Sequence, residues 1–250
     1  MAAKCLAVHE MIAANTCHIA CLQETKLQHI DDGLARFLGA YKLNCFAYKP
    51  SVGTKGGILI LWNDVVVDLS NISIRWFSVS ATVQLQRQAS DSFLLSTVYG
   101  PSRARGKEAF LQHLRCLKPL TGTKWLILGA FNIIYRARDK NNSNLNLQLM
   151  RRFRAAINHC QLKEIHLQNH KYTWSNKRRR PTLVHLDRVF YNESWDLTFA
   201  SHSLHALSSS HSDHCPLLLA HHEGFRKPTP FKFENFWVKL PGFKDVVDCT

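Results

Sequence analysis

The chain has 250 residues, 46% of them hydrophobic, which is enough for one large domain or two small ones with a buried core. Its formal net charge of +14 at pH 7 favours a polyanionic partner, of which nucleic acid is the commonest. No apolar run is long enough to span a membrane, and the early His9 and Glu10 are not typical of a secretory signal. The eight cysteines form no Cys-x-x-Cys pair, so we expect reduced thiols in an intracellular protein without a structural zinc.

Apolar runs separated by polar segments predict more strands than helices. The predicted helices span residues 6–15, 107–117 and 146–164. The predicted strands span residues 19–22, 56–62, 65–69, 78–86, 93–99, 125–129, 184–191 and 217–220. Because many of the strands are adjacent rather than alternating with helices, we expect two stacked sheets with helices outside.

The domain organisation is predicted from the composition of the C-terminal part. Residues 1–222 are expected to form one domain. From residue 223 onward the chain contains Pro228 and Pro230 and is typical of a linker. The aromatic-rich segment 231–247 is predicted to begin a following region.

Polar side chains follow or end several of the predicted strands. They are Glu24, Tyr99, Asn132, Asp187, Asp213 and His214. Two of these carboxylates could hold one Mg²⁺-like ion, and a third could orient the imidazole through its N–H. Tyr and Asn can hydrogen-bond a phosphate oxygen or a water. This set therefore predicts metal-assisted hydrolysis of a phosphodiester.

The positive charge is clustered. Lys177, Arg178, Arg179 and Arg180 are consecutive, and three further arginines lie on the helix predicted at 146–164. Such a cluster favours phosphate contacts, which are sensitive to salt and independent of base sequence. The alternative is a solvated basic face.

Five short segments resemble the motifs of the endonuclease/exonuclease/phosphatase superfamily in order and spacing. They are residues 21–26, 98–101, 128–132, 186–189 and 212–214. Segments 57–62 and 231–237 resemble, more narrowly, the endonuclease domain of plant LINE-type (non-LTR) retrotransposons. The resemblance implies an α+β fold: a four-layer α-β-β-α sandwich, with two mixed sheets packed face to face and helices outside.

The resemblance also implies roles for the residues at strand ends. Glu24 would ligate Mg²⁺ or Mn²⁺, and Asp213 would help to hold the metal. His214 would contact the scissile phosphate and would be oriented by Asp187. The expected partner is DNA, the expected state a monomer and the expected location the nucleus.

Three further residues are implied in substrate binding. Tyr99 and Asn132 would position the phosphate and the attacking water. Trp174, in a Tyr-Thr-Trp-Ser segment, matches a family motif near the DNA-facing rim; its alternative is an ordinary half-buried tryptophan. The basic run 177–180 would contact DNA beside it.

Two departures from the family pattern predict an impaired enzyme. Ala130 stands where the family motif Gly-Asp-Phe-Asn has the Asp that is thought to activate water. A methyl group cannot accept a proton, and loss of a general base commonly costs about 10²–10⁴-fold in rate. The first strand of the family, which carries an Asn, also has no counterpart here, so we expect an exposed sheet edge.

Other interpretations stay open at this stage. Glu24 could be solvated, Asp187 could pair with Arg188 or Lys177, Tyr99 could pack at a strand end, and Asn132 could be a turn residue. The alternatives in function are a nucleic-acid-binding remnant without activity and a phosphatase acting on a small molecule.

Overall fold

The computed structural model describes residues 2–86, 92–209 and 212–221. Its helices are α1 (Ala2–Ala14), α2 (Asp32–Leu38), α3 (Lys107–Cys116), α4 (Leu147–His159) and α5 (Glu193–Thr198), with a 3-10 helix at Ala137–Asp139. Its strands are β1 (Ile19–Gln23), β2 (Cys45–Val52), β3 (Lys55–Trp62), β4 (Val67–Ile74), β5 (Ser78–Leu85), β6 (Ser92–Tyr99), β7 (Trp125–Ala130), β8 (Lys163–Glu164), β9 (Trp174–Ser175), β10 (Leu183–Val184), β11 (Asp187–Tyr191), β12 (His202–Ala206) and β13 (Leu217–His221). The predicted linker and following region, 223–250, lie outside the described residues.

The strands form two main sheets. The larger has six strands in the order β4-β5-β6-β7-β11-β8, and the smaller has three in the order β1-β3-β2. In the larger sheet β6 and β7 are parallel, and its other pairs are antiparallel. Two antiparallel pairs, β9-β10 and β12-β13, complete the structure.

The central strand of the small sheet is buried on both faces, which explains its continuous apolar sequence. Successive side chains of a strand point to opposite faces. Ile58 and Ile60 therefore enter the core between the two sheets, while Leu59 and Leu61 pack on the other side, against α1 and α2. One strand thus joins two hydrophobic layers.

The outer face of the six-stranded sheet is covered by α3 and α4. Phe110 of α3 and Phe153 of α4 are fully buried there. Both rings contact Phe131, which follows β7, and Phe153 also contacts Phe190 of β11. The order of layers is therefore helix, sheet, sheet, helix, and the predicted α+β sandwich is confirmed.

Several details differ from the predictions. The helix predicted to reach residue 164 ends at His159, because Gln161 adopts a left-handed φ of 55° and the chain turns back into β8. Helical periodicity would group Leu6 of α1 and Leu147 of α4 with the buried apolar residues, but they are 47% and 55% exposed. The elements not predicted are α2, α5, β2, β8, β9 and β12, and the strand predicted at 184–191 is divided into β10 and β11. Within the described residues no helix is both long and apolar enough to cross a membrane.

Candidate active site

Three predicted positions lie in one row across the six-stranded sheet. Tyr99 of β6 is in register with Ala130 of β7, and Ala130 is in register with Asp187 of β11. Residues opposite each other on neighbouring strands share one face. The methyl group of Ala130, 4% exposed, therefore lies between the phenol and the carboxylate.

His214 is bound to this row through Asp187. The imidazole Nδ1 lies 2.7 Å from Asp187 Oδ2. Burial opposes the charged imidazole, but the hydrogen bond to Asp187 and the charge of that carboxylate prevail and raise the pKa of His214. The predicted pairing of the two residues is present in the structure, whereas pairing of Asp187 with Arg188 is not.

Thr173 supports this pair and was not identified from the sequence. Its fully buried hydroxyl accepts from the backbone N–H groups of Leu186 and Asp187, each at 3.0 Å. Its carbonyl accepts from the N–H of Cys215 at 2.7 Å. Through its hydroxyl and its backbone carbonyl, this one residue ties the start of β11 to the segment that carries His214. No signal in the sequence beyond its place beside Trp174 pointed to it.

Glu24 and Tyr99 meet at the end of β1. The Tyr99 hydroxyl donates to the Glu24 carboxylate, and the pKa of Tyr99 is raised, first by burial and then by that negative charge. Glu24 also forms an ion pair with Lys26 at 3.3 Å. Its φ of 56° is rare for a residue with a side chain, and such backbone strain is concentrated at functional sites.

Asp213 and Trp174 form the other side of the site. The Trp174 indole N–H donates to Asp213 Oδ2 at 2.9 Å, and the Trp174 backbone bridges to that of His214. Burial disfavours the charged carboxylate, yet the indole hydrogen bond and the charges of His214 and Lys177 leave the pKa of Asp213 lowered. Asp213 is therefore poised as an anion.

Asn132 closes the row on the α3 side. Its side-chain amide donates to the carbonyl of Gly100 at 2.7 Å, and its backbone carbonyl accepts from Lys107 Nζ at 3.0 Å. Burial lowers the pKa of Lys107. Lys107 was placed on a helix by the sequence but not in the site; its position at the start of that helix was the available signal.

A groove of about 530 Å³ continues from Asn132 towards the β9-β10 connection. Its lining includes Trp174, Arg178, Lys107 and Lys140. Lys177, Arg179 and Arg180 are exposed on the same connection. The basic run is thus brought next to the row that carries Asp187, with Arg178 facing the groove.

Two carboxylates in this site suit a hard cation. Glu24 and Asp213 both act electrostatically on the Tyr99 hydroxyl, so both carboxylates lie near it. Among the described residues no cluster of three or more His, Cys, Asp or Glu side chains forms a metal cage. Mg²⁺ commonly needs one or two carboxylates and keeps several waters, so the pair fits a hydrated ion.

Known structures share this architecture. An AP endonuclease from Archaeoglobus fulgidus superposes with a TM-score of 0.68 at 15% identity, covering 87% of this chain and 93% of that one. The endonuclease domain of TRAS1, a telomere-specific non-LTR retrotransposon, gives 0.61 at 12%, covering 88% and 93%. D. rerio TDP2 complexed with a single-strand DNA product gives 0.57 at 14%, covering 86% and 90%.

Because the sequence identities are low, these superpositions show a shared fold and no more. A comparison with curated protein sequences finds no significant match. The model of the endonuclease/exonuclease/phosphatase family, however, matches residues 5–214, a segment that contains all five motifs and every residue of the site. The chain belongs to the endonuclease/exonuclease/phosphatase family.

Proposed function

We propose that this domain is a retroelement endonuclease built for Mg²⁺-dependent cleavage of a DNA phosphodiester, and that Ala130 weakens its catalysis. The observation that carries the proposal is the His214–Asp187 pair at 2.7 Å, one strand away from the methyl group of Ala130. The fold shared with the TRAS1 endonuclease domain supports a retroelement origin. The resemblance of the sequence of residues 57–62 to plant LINE-type elements narrows the proposed origin to an element of that type.

The chain's own residues would divide the work as follows. His214, with Nδ1 held by Asp187, would present its other ring nitrogen to the scissile phosphate. Tyr99 and Asn132 would hydrogen-bond phosphate oxygens and orient the attacking water. Glu24 and Asp213 would hold Mg²⁺ or Mn²⁺, which supplies charge stabilisation to the phosphate when bound.

The groove beside the row would receive the DNA strand. Arg178 and Lys107 would meet its phosphates, and Trp174 would contact a sugar or base. Arg179 and Arg180 on the same exposed connection would add contacts that are independent of base sequence. A net charge of +14 supports DNA as the partner, and a monomer acting in the nucleus is part of this proposal.

With Ala130 at this position, the site lacks a base to activate the attacking water. Abstraction of a proton from the attacking water needs a base within hydrogen-bond reach. The neighbouring Asp187 already accepts from His214, and the Tyr99 hydroxyl is a donor to Glu24. We therefore expect hydrolysis by this chain to be slower by about 10²–10⁴-fold than with a carboxylate at position 130.

A plasmid-nicking assay in Mg²⁺ tests the proposal. The Ala130→Asp variant should nick supercoiled DNA about 10²–10⁴ times faster than the unaltered chain. Ala130→Asn is the matched control, because it adds similar bulk without a proton acceptor. Nicking by the unaltered chain as fast as by Ala130→Asp would refute the impairment, and no nicking by either would refute the endonuclease.

A second candidate is DNA binding without cleavage, which the methyl group at position 130 favours. It predicts binding that weakens steeply with salt and persists in Glu24→Ala. Absence of binding at low salt would exclude it. A phosphatase for small molecules, the third possibility within the family, would instead turn over a nucleotide or inositol phosphate and leave DNA intact.

A further inference from the structure

Trp76 is a large side chain left 72% exposed between β4 and β5. Backbone hydrogen bonds place it at the same end of the sandwich as the candidate active site. The N–H of Tyr99 donates to the carbonyl of Phe77 at 2.9 Å, and the N–H of Arg75 donates to that of Ser78 at 2.8 Å. Trp76 is thus one residue away from a direct contact with the strand end that carries Tyr99.

Lys49 connects Trp76 to the small sheet. Its Nζ lies 5.7 Å from the centroid of the indole ring, a distance suited to a cation–π contact. Lys49 is in register with Ile58 on β3, and Ile58 is in register with Gln23, the residue before Glu24. The indole and the ammonium group therefore lie where both sheets present the candidate active site.

Charge in this part of the molecule is segregated along the strands. Lys49, Lys55 and Arg75 lie at the end near the site, and among the described residues none of them forms an ion pair. The acidic residues of segment 44–86 are at the opposite end. Asp64 bonds Asn44 before β2, and Asp68 is in register with Gln84 near the end of β5.

We propose that Trp76, Lys49 and Arg75 form a second nucleic-acid contact, where an unpaired base of a DNA strand stacks on the indole. The two cations would meet the phosphates beside that base. Stacking on an exposed aromatic ring is tolerant of base identity, and a basic surround is typical of single-strand binding. The proposal rests on the proposed function, since it takes DNA as the partner.

The position of this contact agrees with a strand crossing the site. Trp76 precedes β5, while Trp174 and Arg178 lie beside the start of β11, and the strand order between them is β5-β6-β7-β11. Three strand spacings amount to about 14 Å. The two aromatic contacts would thus flank the Tyr99–Ala130–Asp187 row and hold a short stretch of one strand across it.

Fluorescence anisotropy with a labelled single-stranded oligonucleotide at low salt tests this contact. Trp76→Ala should weaken binding about 5- to 150-fold, the range for loss of one stacked base, while Trp76→Phe should retain most of the affinity. Lys49→Ala should reduce the salt dependence by about one released counterion. Leu120→Ala is the matched control, because Leu120 is an apolar side chain 86% exposed at the far end of β7, and its loss should change nothing.

The outcomes separate the two proposals. Equal binding by Trp76→Ala and the unaltered chain, with folding intact by circular dichroism, overturns the Trp76 contact alone. Self-association that Trp76→Ala abolishes without affecting DNA binding assigns the patch to a protein interface and also overturns it. Binding through Trp76 combined with no nicking by Ala130→Asp overturns the endonuclease alone, and no DNA binding by the unaltered chain overturns both.

Discussion

Asp187 and Arg188 are neighbours on β11, yet they belong to two polar sites of opposite character. Because side chains alternate along a strand, Asp187 faces the candidate active site and Arg188 lies on the helix-covered face. The Arg188 side chain is 0% exposed and bonds Asp139 at 2.6 Å as well as Glu164. The Asp187–His214 pair is partly accessible to solvent, with side chains 13% and 25% exposed.

The difference between the two sites shows which one stabilises the fold and which one is available for chemistry. Asp139 also accepts from the backbone N–H of Arg136, and Arg136 pairs with Glu164 at 2.6 Å. Each buried carboxylate is therefore matched by a cation within the protein. The Asp187–His214 pair, in contrast, leaves a titratable imidazole that a substrate can reach. Because this imidazole is less enclosed by compensating charges, it can gain or lose a proton more readily than the buried cluster can.

Among changes at these two sites, Arg188→Met should have the largest effect on the free energy of unfolding. This change removes the cation from two buried carboxylates, and loss of one partner from a buried ion pair costs about 3–5 kcal/mol of unfolding free energy. Urea denaturation followed by circular dichroism measures it. A loss below about 1 kcal/mol, the range of exposed pairs, would show that the buried cluster is not a stabilising element.

Asp187→Asn should have a smaller and pH-dependent effect. In the folded chain the pKa of His214 is raised above its ordinary 6.5, so its charged form stabilises the fold at lower pH, and this contribution is lost as pH rises through the raised pKa. The variant should therefore lose more stability at pH 5 than at pH 9. Urea titrations at both pH values test this prediction, and NMR titration should show a lower pKa for His214 in the variant.

An unchanged pKa of His214 in Asp187→Asn would mean that Asp187 does not control the imidazole. His185→Gln is a useful control for the NMR assignment. In the unaltered chain, burial and then the nearby Arg188 lower the pKa of His185 to about 4. The His185 signal should therefore titrate well below that of His214, and it should be missing from the spectrum of His185→Gln.

Arg152→Ala should have the smallest effect. Arg152 pairs with Glu108 at 2.9 Å, but both side chains are more than half exposed, at 51% and 63%. Exposed pairs contribute about 0–1 kcal/mol and are screened by salt. Thermal unfolding should differ little from that of the unaltered chain, and a loss comparable to that of Arg188→Met would remove the distinction between buried and exposed pairs.

Much of the site could be predicted because it lies where apolar strands end. Tyr99 and Asp187 follow or begin runs whose hydrophobicity is visible in one dimension, and their register across β7 places them in one row. Thr173 and Lys107 escaped prediction, since their role depends on hydrogen bonds to Asp187 and Asn132 across the fold. The strand β2 was also missed: Lys49 and Pro50 interrupt its pattern, and its pairing with β3 defines it.

The sequence alone determined the layered α+β architecture and the order of the motifs, because continuous apolar strands must be covered on both faces. It also determined that position 130 holds a methyl group. Only the tertiary structure decided which polar residues became partners. Arg188 finds Asp139, 49 residues away, and His214 finds Asp187, 27 residues away. Such pairs follow from strand order and packing, which residue types and local spacing do not specify.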